Sequence, residues 1–454
     1  MAAFFKQLAG RMRYHLSALV RCPLLLALLL SLSPLQSAVK KKPKSRIPAA
    51  PRMTASARAA ALRKVDQYLA IPPPDEIEQP GALVPVFESL YRLGVAEERA
   101  PVHIIHFGDS HTAADEWTGG LRDRFQQQFG DGGSGFSLAG HPFIGYRRFD
   151  ARGGASAGWE TEGLRSASGD GYFGLGGVSV STARAGQSVF LDAECDRLEI
   201  DYLQQPGGGR LALYDGEQRV DEFSTDGEIR PGVAGYQPTP GNHRFTLRTL
   251  DSQPVRLFGW VADKAAGVSY EALGINGAEA GVILKWNEAM LAAYLQRRNP
   301  GLIVLAYGTN EASDPYWKSE SYPAMFSTLL DRLRRSAPTA SILILGPTDR
   351  WWRVKGTWRP YPGMDAIVAA QRNVAREHGC AFWDARGRMG GEGAMRDWVY
   401  AGLAQGDYVH FTAAGYRRLA DALFEDIMRQ YEVYKKIRLE PPDRESHGQA
   451  NQDR

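Results

Sequence analysis

His103-Ile104-Ile105-His106-Phe107-Gly108-Asp109-Ser110-His111-Thr112 is a short apolar run that stops abruptly in Gly-Asp-Ser. Residues 102–107 read as a buried strand, Gly108 and Asp109 as a turn, and about 112–128 as the helix behind it. Ser110 then stands at a strand end beside the N–H groups of a helix start, where a hydroxyl can attack and an oxyanion can be held. The same residues are also ordinary turn and capping chemistry, so Gly-Asp-Ser alone does not separate a nucleophile from a cap. The rest of the chain separates them.

Downstream of Gly267 the pattern alternates strand with helix. Ser269–Ala278 leads into a helix over about 279–297, and Leu302–Ala306 is a strand ending in Tyr307-Gly308-Thr309-Asn310-Glu311. Helix 321–336, strand Ser341–Leu345, helix 363–378, strand Cys380–Asp384 and a last helix over about 412–434 follow. This spacing predicts a mostly parallel sheet covered on both faces, with its strand ends pointing functional loops to one edge. Upstream, Pro85–Leu93 reads as an amphipathic helix with Val86, Phe87, Leu90 and Leu93 on one face. The Gly-rich stretch from about 130 to 155 reads as a loop lining a cleft, and no P-loop lysine follows it. Residues 156–262 hold only short alternating strands between Gly, Pro and Asp turns, the pattern of a β-sandwich inserted into another domain. Glu199, Asp201, Tyr202, Tyr214 and Trp260 fit a carbohydrate-binding face or a sandwich core, and for any one of them the core reading is preferred.

Length and composition set the outer bounds. A chain of 454 residues, 44% hydrophobic and 23% charged, is globular and long enough for two or three domains, which excludes disorder throughout. Residues 1–38 run from basic (Lys6, Arg11, Arg13, Arg21) through apolar Leu24–Leu32 to small residues, the layout of a secretory signal or, if uncleaved, an N-terminal anchor. Residues 39–64 form a basic Pro/Ala-rich linker, whose charge suits a solvated spacer or contact with an anionic membrane or wall polymer. The body is expected as an α/β domain in two parts, 65–155 and 263–435, around the 156–262 insertion, with a polar tail at 436–454. The basic run has no aromatic interleaving and no recognition motif, so nucleic acid is not a predicted partner. Past residue 38 only Cys195 and Cys380 remain, expected as two buried thiols; neither a disulfide framework nor a zinc site is indicated.

The loops at the strand ends carry a constellation. Asp407-Tyr408-Val409-His410 puts a carboxylate three residues before a histidine, close enough to orient the ring, and His410 is then the natural base for Ser110. The Gly277 N–H and the Asn310 side-chain amide would join the Ser110 N–H around an oxyanion. Taken singly, Asp407 and His410 could cap the last helix, Gly277 could be a plain turn residue and Asn310 an Asx turn. Their appearance together at successive strand ends favours a site. Trp351, Trp352 and Trp358, interleaved with Arg350, Arg353 and Arg359, read either as a stacking wall beside that site or as residues buried against helix 363–378.

In these four blocks the chain resembles the SGNH (GDSL-like) hydrolases: Gly108-Asp109-Ser110, Asn276-Gly277, Gly308-Thr309-Asn310-Glu311 and Asp407-x-x-His410. The resemblance covers about 65–150 and 265–435. It implies a flavodoxin-like three-layer domain with Ser110 as nucleophile, His410 as base, Asp407 as its orienter, Ser110, Gly277 and Asn310 around the oxyanion, and no metal or cofactor. Between Gly274 and Gly277, the Asn-Gly pair fits the block better. The sequence departs from the pattern at His111, where leucine is usual, and at Glu311, where many members have aspartate. The predicted exported N-terminus, Gly-Asp-Ser-His-Thr-Ala, the β-rich insertion and Gly-Ile-Asn-Gly-Ala are most similar to the periplasmic peptidoglycan O-acetylesterases of Gram-negative bacteria, whose insertion is carbohydrate-binding-module-like. That likeness implies a periplasmic esterase removing acetyl from the C6 hydroxyl of N-acetylmuramic acid. An O-acetyltransferase, an esterase of another acetylated glycan or of a lipid, and an inactive carbohydrate-binding scaffold are the alternatives.

Overall fold

The computed structural model describes residues 47–73, 75–97, 99–165, 169–313 and 320–439. The segment 1–38, the start of the basic linker and the tail from residue 440 lie outside the described residues.

Five strands pair in parallel in the order Val268–Gly274, Val102–Gly108, Leu302–Ala306, Ser341–Leu345, Ala381–Trp383. Alternate residues of the 102–108 run enter different cores. Ile105 and Phe107 join one cluster with helices Glu288–Arg298, Tyr322–Ser336 and Met364–Glu377. Ile104 joins another with helices Val84–Gly94, Glu116–Phe129, Ala394–Ala401 and Ala413–Leu439. Burial on both faces is why the run is unbroken rather than alternating, and each such Ile or Leu contributes roughly 1.5–3 kcal/mol by leaving water. In chain order the strands run second, first, third, fourth, fifth, so the order reverses between Val102–Gly108 and Leu302–Ala306. The crevice outside the carboxyl ends at such a switch point is where open α/β sheets place their sites.

Val268–Gly274 is a strand although Ser269 and Glu271 interrupt its apolar pattern. Both are fully buried. Ser269 bonds His103 at 2.7 Å, and Glu271 accepts from Arg298 Nε at 3.1 Å, while Arg298 Nη1 also holds Asp263 at 2.8 Å.

Two antiparallel sheets occupy most of residues 133–263. One runs Arg230–Tyr236, Arg197–Gln204, Val255–Asp263, Val178–Thr182, Glu160–Gly163, with Gly133–Leu138 also on Val255–Asp263; the other runs Arg152–Ala155, Ser188–Cys195, Gly241–Thr249, Arg210–Asp215, Gln218–Ser224. A common core joins them, with Trp260, Leu257 and Ile200 meeting Phe245, Leu213 and Val189. Trp260 and Tyr202 are buried there, and Glu199 pairs with Arg297. Cys195 and Cys380 are free and buried.

Three sequence expectations are corrected. The Gly-rich 130–155 stretch is not a plain loop: Gly133–Leu138 and Arg152–Ala155 are strands, so the antiparallel region begins before residue 156. Glycine permits this by close approach. A Cβ at Gly133 (φ +91°) would lie 2.5 Å from the Ala262 carbonyl oxygen, and one at Gly154 would lie 2.3 Å from the Phe190 ring. Residues 55–64 are not linker. Thr54 caps helix Ala55–Ala70, whose Ala61 and Val65 are buried in the second cluster. Finally, the helix expected over 112–128 is broken at Asp115 (φ +55°), whose carboxylate takes Thr118, Arg122 and the Phe149 N–H.

Candidate active site

Register aligns the strand ends. Gly108 pairs with Gly274 on one side and Ala306 on the other, and Ala306 pairs with Leu345, so residues 109–110, 275–277, 307–310 and 346–350 leave the sheet at one edge. Gly108 has to be glycine, since a Cβ would lie 2.1 Å from Thr112 Oγ1. The chain then turns into the short helix Ser110–Ala113, with Asp109 accepting the His111 N–H at 2.9 Å.

Ser110 Oγ lies 2.9 Å from His410 Nε2, and His410 Nδ1 lies 2.8 Å from Asp407 Oδ2. A carboxylate can only accept, so Nδ1 carries the proton and Nε2 is left to accept from the serine. The other Asp407 oxygen takes the N–H groups of Val409 (3.0 Å) and His410 (3.1 Å), so one carboxylate both folds the loop and orients the ring. Burial disfavours the His410 imidazolium, but the Asp407 hydrogen bond and charge outweigh it and hold His410 above its ordinary value. Burial likewise pushes Asp407 up, and His410 more than reverses this, leaving it below the usual carboxylate range.

The other predicted residues gather at the same edge. Asn310 Nδ2 donates to Asp109 Oδ2 (3.1 Å) and to the Ala278 carbonyl (2.8 Å), which ties the asparagine to the Gly-Asp-Ser turn and to the chain just after Gly277. Gly277 has φ +72°, and the Arg165 guanidinium lies beside it, 3.1 Å from where a Cβ would be. Gly274 has a different duty: a Cβ there would lie 2.1 Å from the Ala113 N atom, so it makes room for the Ser110–Ala113 helix.

Sequence reasoning missed several supports. Glu311 accepts the N–H groups of Ala280 and Gly308, both at 2.9 Å, stapling the Gly277 and Asn310 loops together, and burial pushes its carboxyl up to about 7. The only sequence signal for it was its place in the Gly-Thr-Asn-Glu block. His111, held near 3 by burial, bonds Tyr416 at 2.7 Å and packs its ring 5.1 Å from that of His410. Trp351 and Trp358 are neither a free wall nor packed on helix 363–378: both stack on Tyr408, between Asp407 and His410, at 5.5 and 4.7 Å. Among the described residues no group of three or more His, Cys, Asp or Glu could hold a metal ion.

The arrangement can activate a hydroxyl for attack on an acyl carbon. The model of the GDSL-like lipase/acylhydrolase family matches residues 233–418, a span that takes in Gly277, Asn310, Asp407 and His410. A solved peptidoglycan O-acetylesterase superposes with a TM-score of 0.66 at 27% identity, covering 77% of this chain and 96% of its own. Family two carbohydrate esterases from Cellvibrio japonicus and Clostridium thermocellum match at 11% and 12% identity, cover 62% and 56% of this chain and 98% and 95% of their own, and have TM-scores of 0.27 and 0.28, too slight to carry an argument. No curated protein sequence matches. The family model over residues 233–418 and the likeness to a solved O-acetylesterase together support reading this chain as an SGNH-type, GDSL-like carboxylic ester hydrolase.

Proposed function

We propose that the protein is an exported serine esterase that removes O-acetyl groups from peptidoglycan, at the C6 hydroxyl of N-acetylmuramic acid. The observation that carries the reaction class is the Ser110–His410–Asp407 relay, with contacts of 2.9 and 2.8 Å. The substrate reading is supported by the likeness to a peptidoglycan O-acetylesterase, which spans 96% of that chain. Export is supported by the basic, apolar and small order of residues 1–38, and a periplasmic location goes with it. The two antiparallel sheets with their shared core are read as an inserted β-sandwich of the carbohydrate-binding-module kind.

In the mechanism, His410 Nε2 takes the proton as Ser110 Oγ adds to the acetyl carbonyl, and Asp407 supports the imidazolium. The oxyanion is held by the Ser110 N–H, the Gly277 N–H and Asn310 Nδ2. Asn310 would exchange its Ala278 acceptor for the oxyanion and keep Asp109 as its anchor. The tetrahedral adduct collapses, His410 returns the proton to the departing sugar oxygen, and an acetyl-serine ester remains. Water, deprotonated by His410, adds to that ester; collapse releases acetate and restores the Ser110 hydroxyl.

The test is acetate release from O-acetylated peptidoglycan, run beside an aryl acetate and beside Ser110→Ala. The variant is expected to lose at least about 10⁴-fold in kcat/KM on both substrates. Hydrolysis of the aryl acetate without release from the polymer would sink the substrate, and an active Ser110→Ala would sink the nucleophile.

A further inference from the structure

The loop after strand Ser341–Leu345 leaves the sheet at the edge that carries Ser110, then forms a two-stranded hairpin, Trp351–Val354 paired with Thr357–Pro360. Its register puts Trp351 opposite Pro360, Trp352 opposite Arg359 and Arg353 opposite Trp358. Side chains alternate along a strand, and cross-strand partners share a face. Trp351 and Trp358 therefore share one face, the one that stacks on Tyr408. Arg350, Trp352, Arg359 and Tyr361 fall on the other.

That second face is anchored next to the oxyanion side of the site. Arg350 donates from Nη1 to the Thr309 carbonyl, one residue before Asn310, and lies 5.3 Å over the Tyr361 ring. The Tyr361 N–H bonds the Arg350 carbonyl at 3.0 Å, and the Trp352 and Tyr361 rings meet edge to face at 5.2 Å and 68°. Trp352 is 42% exposed, and it is the one tryptophan among the exposed large hydrophobics of the described residues. The result is a rigid aromatic corner, fixed at its base by Thr309 and at its back by Tyr408, with the guanidinium of exposed Arg359 on the same face. A flat apolar surface edged by hydrogen-bond donors matches a pyranose ring, which presents C–H groups on its face and hydroxyls and amides at its rim.

We propose that the Trp352–Tyr361 corner is a stacking subsite for a sugar ring of the glycan, next to the residue whose ester Ser110 attacks. The proposal rests on the glycan reading of the substrate, and it makes the hairpin a determinant of polymer over small ester. Two measurements keep the two readings apart. The first is direct binding of a soluble β-1,4-linked N-acetylglucosamine hexamer to Ser110→Ala, by calorimetry, with and without Trp352→Ala. Binding is expected to weaken about tenfold on loss of the ring, the size of one aromatic contact, and Trp352→Phe should recover most of it. The second is steady-state kinetics of Trp352→Ala with catalytic Ser110 in place, where KM for O-acetylated peptidoglycan should rise by a similar factor while kcat/KM for an aryl acetate stays within twofold. Equal hexamer binding with and without Trp352 overturns the subsite, as does an equal fall on both substrates, which would mark the ring as a support for the loop. Loss of hexamer binding in Trp352→Ala, with no acetate released from the polymer by the parent enzyme, would keep the subsite and overturn the peptidoglycan substrate.

Discussion

Asp407 does more than point a ring. Its charge and its 2.8 Å hydrogen bond hold His410 above the ordinary histidine value, and only neutral His410 can take the serine proton. The acidic limb of kcat/KM is therefore expected above about pH 6.5 in the parent enzyme. Asp407→Asn removes the charge that raises His410 and leaves the burial that lowers it, so the limb should move to lower pH while kcat falls about 10³–10⁴-fold. An unshifted limb in that variant would break the pairing of Asp407 with His410. At Ser110 the Gly-Asp-Ser turn alone could not separate a nucleophile from a cap; the fold adds a contact that no turn supplies, His410 Nε2 at 2.9 Å, brought from 300 residues away.

At the scale of an element, the 351–360 hairpin clamps the loop that carries Asp407 and His410. Tyr408 sits at φ +58°, a backbone state that costs a non-glycine residue roughly 1–2 kcal/mol. Two stacked tryptophans, each worth about 0.5–1.5 kcal/mol, offset that cost. Trp358→Ala is expected to lower kcat about tenfold on polymer and aryl acetate alike, because the misplaced group is His410 rather than the substrate. A Trp358→Ala enzyme with kcat unchanged on the aryl acetate would refute the clamp. Trp352→Ala is expected to differ by sparing the small ester, so the two faces of the hairpin separate positioning from binding. The tryptophans were visible in the sequence, but their division between two faces depends on a register that only pairing reveals.

Across the whole molecule, buried titratable groups set opposing pH dependences. Burial holds His103, His106 and His111 near 3, so as pH falls below about 6.5 the unfolded chain takes up protons that the fold refuses, and stability drops. Burial also pushes Asp109 up to about 6, Glu311 to about 7 and Asp201 to about 8. Those groups keep protons that the unfolded chain releases above about pH 4, so their stabilising contribution fades as pH rises. The two sets oppose one another between about pH 4 and 6.5, and a broad stability maximum is expected there. Below it, the histidines act together with Asp263, which is buried but held at about 2 by Arg298. Denaturant midpoints taken from pH 3 to 8 should show the maximum, and a steady rise from pH 4 to 8 would contradict it.

The sequence by itself determined the features whose causes are local. The apolar run 102–107, the βα alternation after residue 300 and the short alternating strands from 177 onward could be read from neighbouring residues, because turn chemistry and periodicity act within a few positions, and Ser110, Gly277, Asn310, Asp407 and His410 stood out as candidates through their joint placement at successive strand ends. Tertiary structure decided what depends on distant partners. Val268–Gly274 is a strand because Glu271 and Ser269, costly to bury alone, meet Arg298 and His103. Gly133–Leu138 is a strand because Val255–Asp263 lies close enough to need glycine opposite it. Helix Ala55–Ala70 leaves the linker because cluster residues such as Trp398 are there to cover Val65. Glu311 and Arg350 are supports of the site for the same reason: the backbone groups they hold belong to loops that only the folded sheet brings together.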